Sequence, residues 1–279
     1  MSCTGTLTAE GEIENEGQHM SKSRGGRRNG RSGRYHLLDV IRGITIISMI
    51  LYHGSWDLVY IAGIDWPWYH TNGAYLWQQS ICWSFILLSG LCMTLSSHRW
   101  RRGAMVFAAG LLVTGATLVF LPEDRVIFGV LTFLGSAMLL TALLYRGLSR
   151  IPAVLGAALS AFLFYVFRDV NSGILQLPMN QTVQLPKEWY HGMTATFLGY
   201  MENGFYSTDY FSLLPWIFLF WTGLYLGRLL EWAGDWKRSI LGIDIPPLSF
   251  LGRHSLLIYL LHQPLLYMLI VLGMRYIVQ

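Results

Sequence analysis

Long apolar runs separated by short charged clusters constrain this chain more than any other feature. Seven stretches are apolar enough to cross a bilayer, at about 37–58, 75–97, 103–121, 125–145, 151–168, 208–230 and 251–273. A hydrocarbon core asks for roughly 20 such residues per helix. In lipid, every backbone N–H and C=O must be bonded inside the protein, so spans of this length read as helices. Composition agrees: 13% of the residues are charged, where soluble domains carry roughly 25%. The expected fold is an all-α polytopic membrane bundle of about seven transmembrane helices.

Residues 1–35 stand apart as a polar, Gly- and Ser-rich tail. Glu10, Glu12, Glu14 and Glu16 come first, then Lys22, Arg24, Arg27, Arg28, Arg31 and Arg34. No short apolar core with a cleavage site follows, so this is not read as a signal peptide. It is expected to be a disordered cytoplasmic tail with a basic juxtamembrane cluster, ahead of a membrane domain over 36–279. Arg99, Arg101 and Arg102 follow the second span, Arg146 and Arg150 the fourth. Arg228, Lys237, Arg238 and Arg253 lie around the junction of the sixth and seventh. With the tail inside, all of them fall on the cytoplasmic side, as the positive-inside rule requires. The N-terminus is therefore expected in the cytoplasm and the C-terminus outside, in a multi-pass protein of a bacterial cytoplasmic (inner) membrane.

Several partners are disfavoured. No basic patch interleaved with aromatics points to nucleic acid. Cys3, Cys82 and Cys92 have no metal-ligand or disulfide spacing, and no metal is expected. No internal repeat supports an inverted-repeat transporter. The lipid bilayer is an expected partner, and the sequence leaves a homo-oligomer open.

Ionisable residues inside a span are costly and mark function. The first span holds Asp39, Arg42, His53 and Asp57. Arg42 and His53 are eleven residues, close to three turns, apart. They therefore share a face at a separation of roughly 16 Å along the axis. His53 and Asp57 are i and i+4 neighbours. Neutral His53 can accept a proton from a hydroxyl or amine, or be acylated itself. Asp57 can orient it, as a carboxylate does in a triad. Arg42 is a permanent cation suited to phosphate oxygens. The plainer alternative is an Asp39–Arg42 pair that sets helix depth, with His53 as a buried hydrogen-bonding residue.

Leu38-Asp39-Val40-Ile41-Arg42-Gly43, followed by Met49, Tyr52 and His53, resembles the opening of membrane acyltransferases. Within that superfamily the chain is most similar to bacterial relatives of heparan-alpha-glucosaminide N-acetyltransferase. Phe85-Ile86-Leu87-Leu88-Ser89-Gly90, Phe128-Gly129-Val130-Leu131 and Asp209-Tyr210-Phe211-Ser212-Leu213-Leu214-Pro215-Trp216 continue the likeness. Leu251-Gly252-Arg253-His254-Ser255 and Tyr259-Leu260-Leu261-His262-Gln263-Pro264 complete it, so that it runs from about 35 to 272. The resemblance implies acetyl-CoA as acyl donor and transfer across the membrane, and it leaves the acceptor unspecified. Two departures stand out. Relatives often carry a His after Gly-x-Leu in the fourth span, where this chain has Thr132. A longer member of the family has its active-site His in the first outer loop, where His70 is the nearest counterpart, so His53 and His70 compete.

Other residues are weighed on the same terms. His262, two residues before Pro264, could line the acyl cavity or link two helices. Asp209 could cap a helix N-terminus or hold an acceptor hydroxyl or amine. Arg99 and Arg102 are explained by topology and could also meet the phosphates of coenzyme A. Glu123-Asp124-Arg125 reads as a turn. Trp66, Trp68 and Trp77 fit an interfacial belt or a surface on which an outer sugar stacks. The expected function is transfer of an acetyl or similar acyl group from cytosolic acyl-CoA to an outer-face glycan or small sugar. His53, Asp57 and Arg42 would be catalytic, Arg42, Arg99 and Arg102 would lie at the donor, and Asp209, His70 and His262 at the acceptor. The alternative is a transporter of a small polar or anionic solute along the same stripe, and a third option is a structural subunit of an envelope complex.

Overall fold

The structure, a computed structural model, describes residues 35–232 and 241–277. Residues 1–34 of the tail and the cluster residues Lys237 and Arg238 lie outside the described residues. Among the described residues, 75% are helical. In chain order the described α-helices are α1 (His36–Tyr60), α2 (Asn72–Thr94), α3 (Arg99–Phe120), α4 (Val130–Leu148), α5 (Ala153–Phe167), α6 (Gly192–Leu198), α7 (Trp216–Trp232), α8 (Pro246–Arg253) and α9 (Ser255–Ile277). The stretch between α5 and α6 also folds a small antiparallel hairpin, β1 (Ile174–Leu177) with β2 (Gln181–Gln184), in the register Ile174 to Gln184.

Among the described residues, six helical segments are long and apolar enough to cross a membrane: α1 to α4, α5 with the turn that carries it on to Ser172, and α9. The expected sixth span, 208–230, is the difference. Its helix starts only at Trp216, because Asp209–Pro215 runs as an irregular segment closed by a cis Leu214–Pro215 bond. The described part of α7 has 17 helical residues, roughly 25 Å at 1.5 Å per residue. The expected last span, 251–273, is also divided. Pro246 and Pro247 start α8, where the missing N–H of proline does no harm, and the chain breaks at His254 before α9 begins. Helix α9 then runs through Pro264, which removes the N–H that Leu260 would otherwise bond.

The core forms around α7. Phe220, Leu224 and Tyr225 are almost wholly buried, with Ile86 of α2, Phe133 of α4 and Phe164 of α5 beside them. Glycines set the closest approaches. A side chain at Gly90 of α2 would meet the Phe220 carbonyl, and one at Gly223 of α7 would meet the Leu87 carbonyl. Gly223 and Gly227 form a GxxxG pair, the pattern by which membrane helices bring their backbones together. Across α1 and α8, Gly43 faces the Leu248 carbonyl and Gly252 the Asp39 carbonyl in the same way. Arg228 ties α7 to the turn after α4, donating to the carbonyls of Leu148 at 3.2 Å, Ser149 at 2.9 Å and Ile151 at 2.8 Å.

The outward faces are apolar. Leu111, Leu112, Val119 and Phe120 of α3 are exposed, as are Leu257, Leu261 and Leu269 of α9. Apolar faces this extensive are suited to lipid, not water. The chain is an integral membrane protein.

Candidate active site between the first and last spans

Asp39, Arg42, His53 and Asp57, the ionisable residues expected of the first span, all lie on helix α1, and the structure divides them into two groups. Near its start, Arg42 and Asp39 form an ion pair at 3.5 Å. Near its end, Asp57 is fully buried and accepts a hydrogen bond from Gln263 Nε2 of α9 at 2.8 Å. His53, one turn before Asp57, packs edge-on against His262 of α9, with ring centroids 4.9 Å apart. The i,i+4 spacing of His53 and Asp57 thus meets two consecutive residues of α9, His262 and Gln263. Asp57 has its hydrogen bond across the helix interface, from Gln263.

The orientation of His262 is fixed. Its Nδ1 lies 2.6 Å from the Tyr259 carbonyl oxygen. A carbonyl can only accept, so Nδ1 carries the proton and Nε2 holds a lone pair. That Nε2 is buried without a hydrogen-bond partner among the described residues, as are Asp57 Oδ2 and Gln263 Oε1. Each such atom costs about 1–3 kcal/mol when nothing bonds it. Each unsatisfied buried polar group calls for an explanation, and a catalytic role is one of them. Two imidazoles, a carboxylate and a carboxamide gathered at one helix interface can accept a proton, donate one and orient a small polar group.

The remaining candidates sit elsewhere. Asp209 Oδ2 accepts from the Val130 backbone N–H at 3.1 Å and from the Tyr259 hydroxyl at 3.4 Å. It therefore caps α4, not α7, and braces the turn of α9 that orients His262. His70 is exposed on the short 3₁₀ turn Pro67–His70, with its ring 6.2 Å from those of both Tyr60 and Tyr69. Arg99 is committed to packing: its Nε donates to the Met93 carbonyl at 3.0 Å, and its guanidinium lies 3.8 Å over the Tyr145 ring. Arg102, in the first turn of the same helix, is exposed, and both it and Arg42 act electrostatically on Cys92. These two cations mark the end of the bundle opposite the first long loop, residues 61–71 between α1 and α2. Thr132 is buried, with its backbone tight against Gly110 of α3. Glu123 and Asp124 lie in a 3₁₀ turn, Pro122–Asp124, as their spacing suggests. No group of three or more His, Cys, Asp or Glu suited to a metal occurs among the described residues.

Residues 34–264 match the family described as heparan-alpha-glucosaminide N-acetyltransferase, catalytic. The chain belongs to this family. The matched region opens just before α1 and closes one residue after Gln263, so it holds both sides of the His53–His262 contact. No curated protein and no solved structure matches the chain. Membership in the heparan-alpha-glucosaminide N-acetyltransferase family makes this a membrane acetyltransferase. Sequence reasoning placed His53, Asp57 and His262 but missed Gln263 and Tyr259. Their signal was the run Tyr259 to Pro264, which puts two polar residues in the middle of an apolar span.

Proposed function

We propose that the protein transfers an acetyl group from cytosolic acetyl-CoA to a hydroxyl or amine of a glycan or small sugar on the outer face of a bacterial cytoplasmic membrane. The observation that carries this reading is the His53–His262 pair, packed beside the Asp57–Gln263 hydrogen bond within the matched region. The N-terminus is taken as cytoplasmic, so that Arg42 and Arg102 lie on the donor side. Arg42 is partly exposed beside Asp39 and is available to hold phosphate oxygens. The three unpartnered buried atoms suit the polar groups of a reacting thioester and an acceptor.

In the reaction, the acceptor oxygen or nitrogen attacks the thioester carbonyl. A C–O or C–N bond forms, the C–S bond breaks, and the acceptor proton passes to an imidazole and then to the departing thiolate. The lone pair on His262 Nε2 and the His53 ring are the groups able to carry that proton. Asp57 stabilises the charge that develops on them, and Gln263 holds Asp57 in place. Bringing donor and acceptor together in one site supplies much of the rate.

The test is thiol release from acetyl-CoA by the purified protein in lipid, with a mixed glycan extract, beside His53→Ala. Release well above background that is lost in the variant is expected. Release that survives in the variant would shift the reacting imidazole to His70. A protein that neither releases thiol nor gains thermal stability from acetyl-CoA is not an acetyl-CoA-dependent enzyme, and its polar stripe would be read as a permeation path.

A further inference from the structure

A chain of aromatic rings leads away from the imidazole pair. Centroid distances run 6.0 Å from His53 to Tyr52, 5.2 Å from Tyr52 to Trp77, 5.9 Å from Trp77 to Trp68 and 6.0 Å from Trp68 to Trp66. The chain is braced at several points. Trp77 Nε1 donates to Ser48 Oγ at 2.8 Å, joining α2 to α1. Trp68 lies against the start of α2, its Nε1 3.5 Å from where a Cβ on Gly73 would stand. The Trp68 carbonyl accepts from both the Thr71 hydroxyl at 2.7 Å and the Thr71 N–H at 3.0 Å, which braces the turn. The outer members are open: Trp66 is 39% exposed and Trp68 43%. Asp65 and His70 are exposed on the same loop.

An interfacial anchor tryptophan projects from the lipid-facing side of a span. This pair instead stands on the turn that joins two spans, and one of the two packs inward onto Trp77. An indole face offers a flat apolar surface to the C–H face of a sugar ring. Flanking carboxylate and imidazole groups can bond its hydroxyls, the mix of apolar walls and few polar groups that ligand sites use. Tyr52 and Trp77 stand between this surface and His53, so a ring stacked on it is a different ring from the one being acetylated.

We propose that Trp66 and Trp68 form a stacking subsite for a second sugar ring of the acceptor. The protein then acts on a glycan of two or more residues in preference to a free monosaccharide. This rests on the reading of the acceptor as a sugar.

The experiment compares binding of glucosamine and its β-1,4-linked tetramer to the protein in lipid nanodiscs, for wild type and for the double variant Trp66→Ala, Trp68→Ala. The tetramer is expected to bind wild type about ten-fold more tightly than the monomer or better. In the double variant that ratio falls to near one while monomer binding is unchanged. If the alanine variant does not fold, Trp66→Leu with Trp68→Leu serves, and the same collapse of the ratio is expected. A flat ratio in wild type, a ratio that survives in the variants, or no binding of the tetramer overturns the subsite. A lowered unfolding temperature in lipid with the ratio intact would make the indoles membrane anchors and also overturns it. Thiol release from acetyl-CoA in the same preparations separates the two claims. Release with a flat ratio removes the subsite and leaves the acetyl-transfer reading; a ratio with neither release nor thermal stabilisation by acetyl-CoA removes the acetyl-transfer reading, and with it the acceptor role of the indoles, and leaves only a sugar-binding surface.

Discussion

His53→Ala and His262→Ala are each expected to lower acetyl transfer by about 10²- to 10⁴-fold, the range for removal of a positioned acid or base. The double variant should be scarcely slower than either single one. The reason is geometric. The two rings are in contact, and His262 offers Nε2 because its Nδ1 is committed to the Tyr259 carbonyl. A pair that handles one proton acts as a unit, and removing either member already disables it. Single-turnover rates for the four proteins of the cycle measure the coupling. Losses that multiply would mean that the imidazoles act in separate steps. A loss confined to His70→Ala would place the chemistry on the first long loop.

The largest expected effect on stability comes from Gly90→Val. A Cβ at that position would coincide with the Phe220 carbonyl and lie 3.0 Å from the Leu224 nitrogen. Backbone cannot rotate aside as a side chain can, so α2 and α7 must separate. Overpacking of this kind typically costs about 1–3 kcal/mol, occasionally more, and this site belongs at the upper end because α7 anchors the core. Gly223→Val should behave alike, since its Cβ would meet the Leu87 carbonyl. Gly115→Ala is the control: nothing lies within 4 Å of its Cβ on exposed α3, and removing a helix-interior glycine is worth roughly 0.5–1 kcal/mol in favour of the fold. Thermal unfolding in one detergent orders the three variants. Equal stability of Gly90→Val and Gly115→Ala would show that α2 and α7 are not in close contact.

Much of this molecule is legible from hydropathy, because lipid leaves a chain few options. The runs that became α1 to α5 lie within a few residues of their expected places. The misses occur where local chemistry overrides hydropathy. Pro246-Pro247 starts a separate helix, α8, and His254 ends it, although hydropathy merges the end of α8 with α9 into one span. Asp209 to Pro215 is apolar enough to read as helix, yet its polar groups bond to other elements: Asp209 to Val130 and Tyr259, Ser212 to Asn171 at 3.0 Å. The site shows the same limit. Periodicity marks His53 and Asp57 as neighbours on α1, since that is a property of one helix. It cannot say that His262 and Gln263 of α9 stand opposite them, since that depends on how α1 and α9 pack. Asp209 reads as a helix cap from sequence, but which helix it caps is again a tertiary fact.

Acetyl transfer across the membrane through the α1–α9 site is tested most directly by its sidedness. The protein is reconstituted in one orientation into sealed vesicles with acetyl-labelled acetyl-CoA on the side of Arg42 and a glucosamine oligomer only on the side of the first long loop. Labelled sugar is expected on the loop side, unlabelled thiol on the Arg42 side, and neither product with His53→Ala. Labelled sugar that forms only when both substrates share one side, or that forms equally with His53→Ala, would contradict transfer through this site.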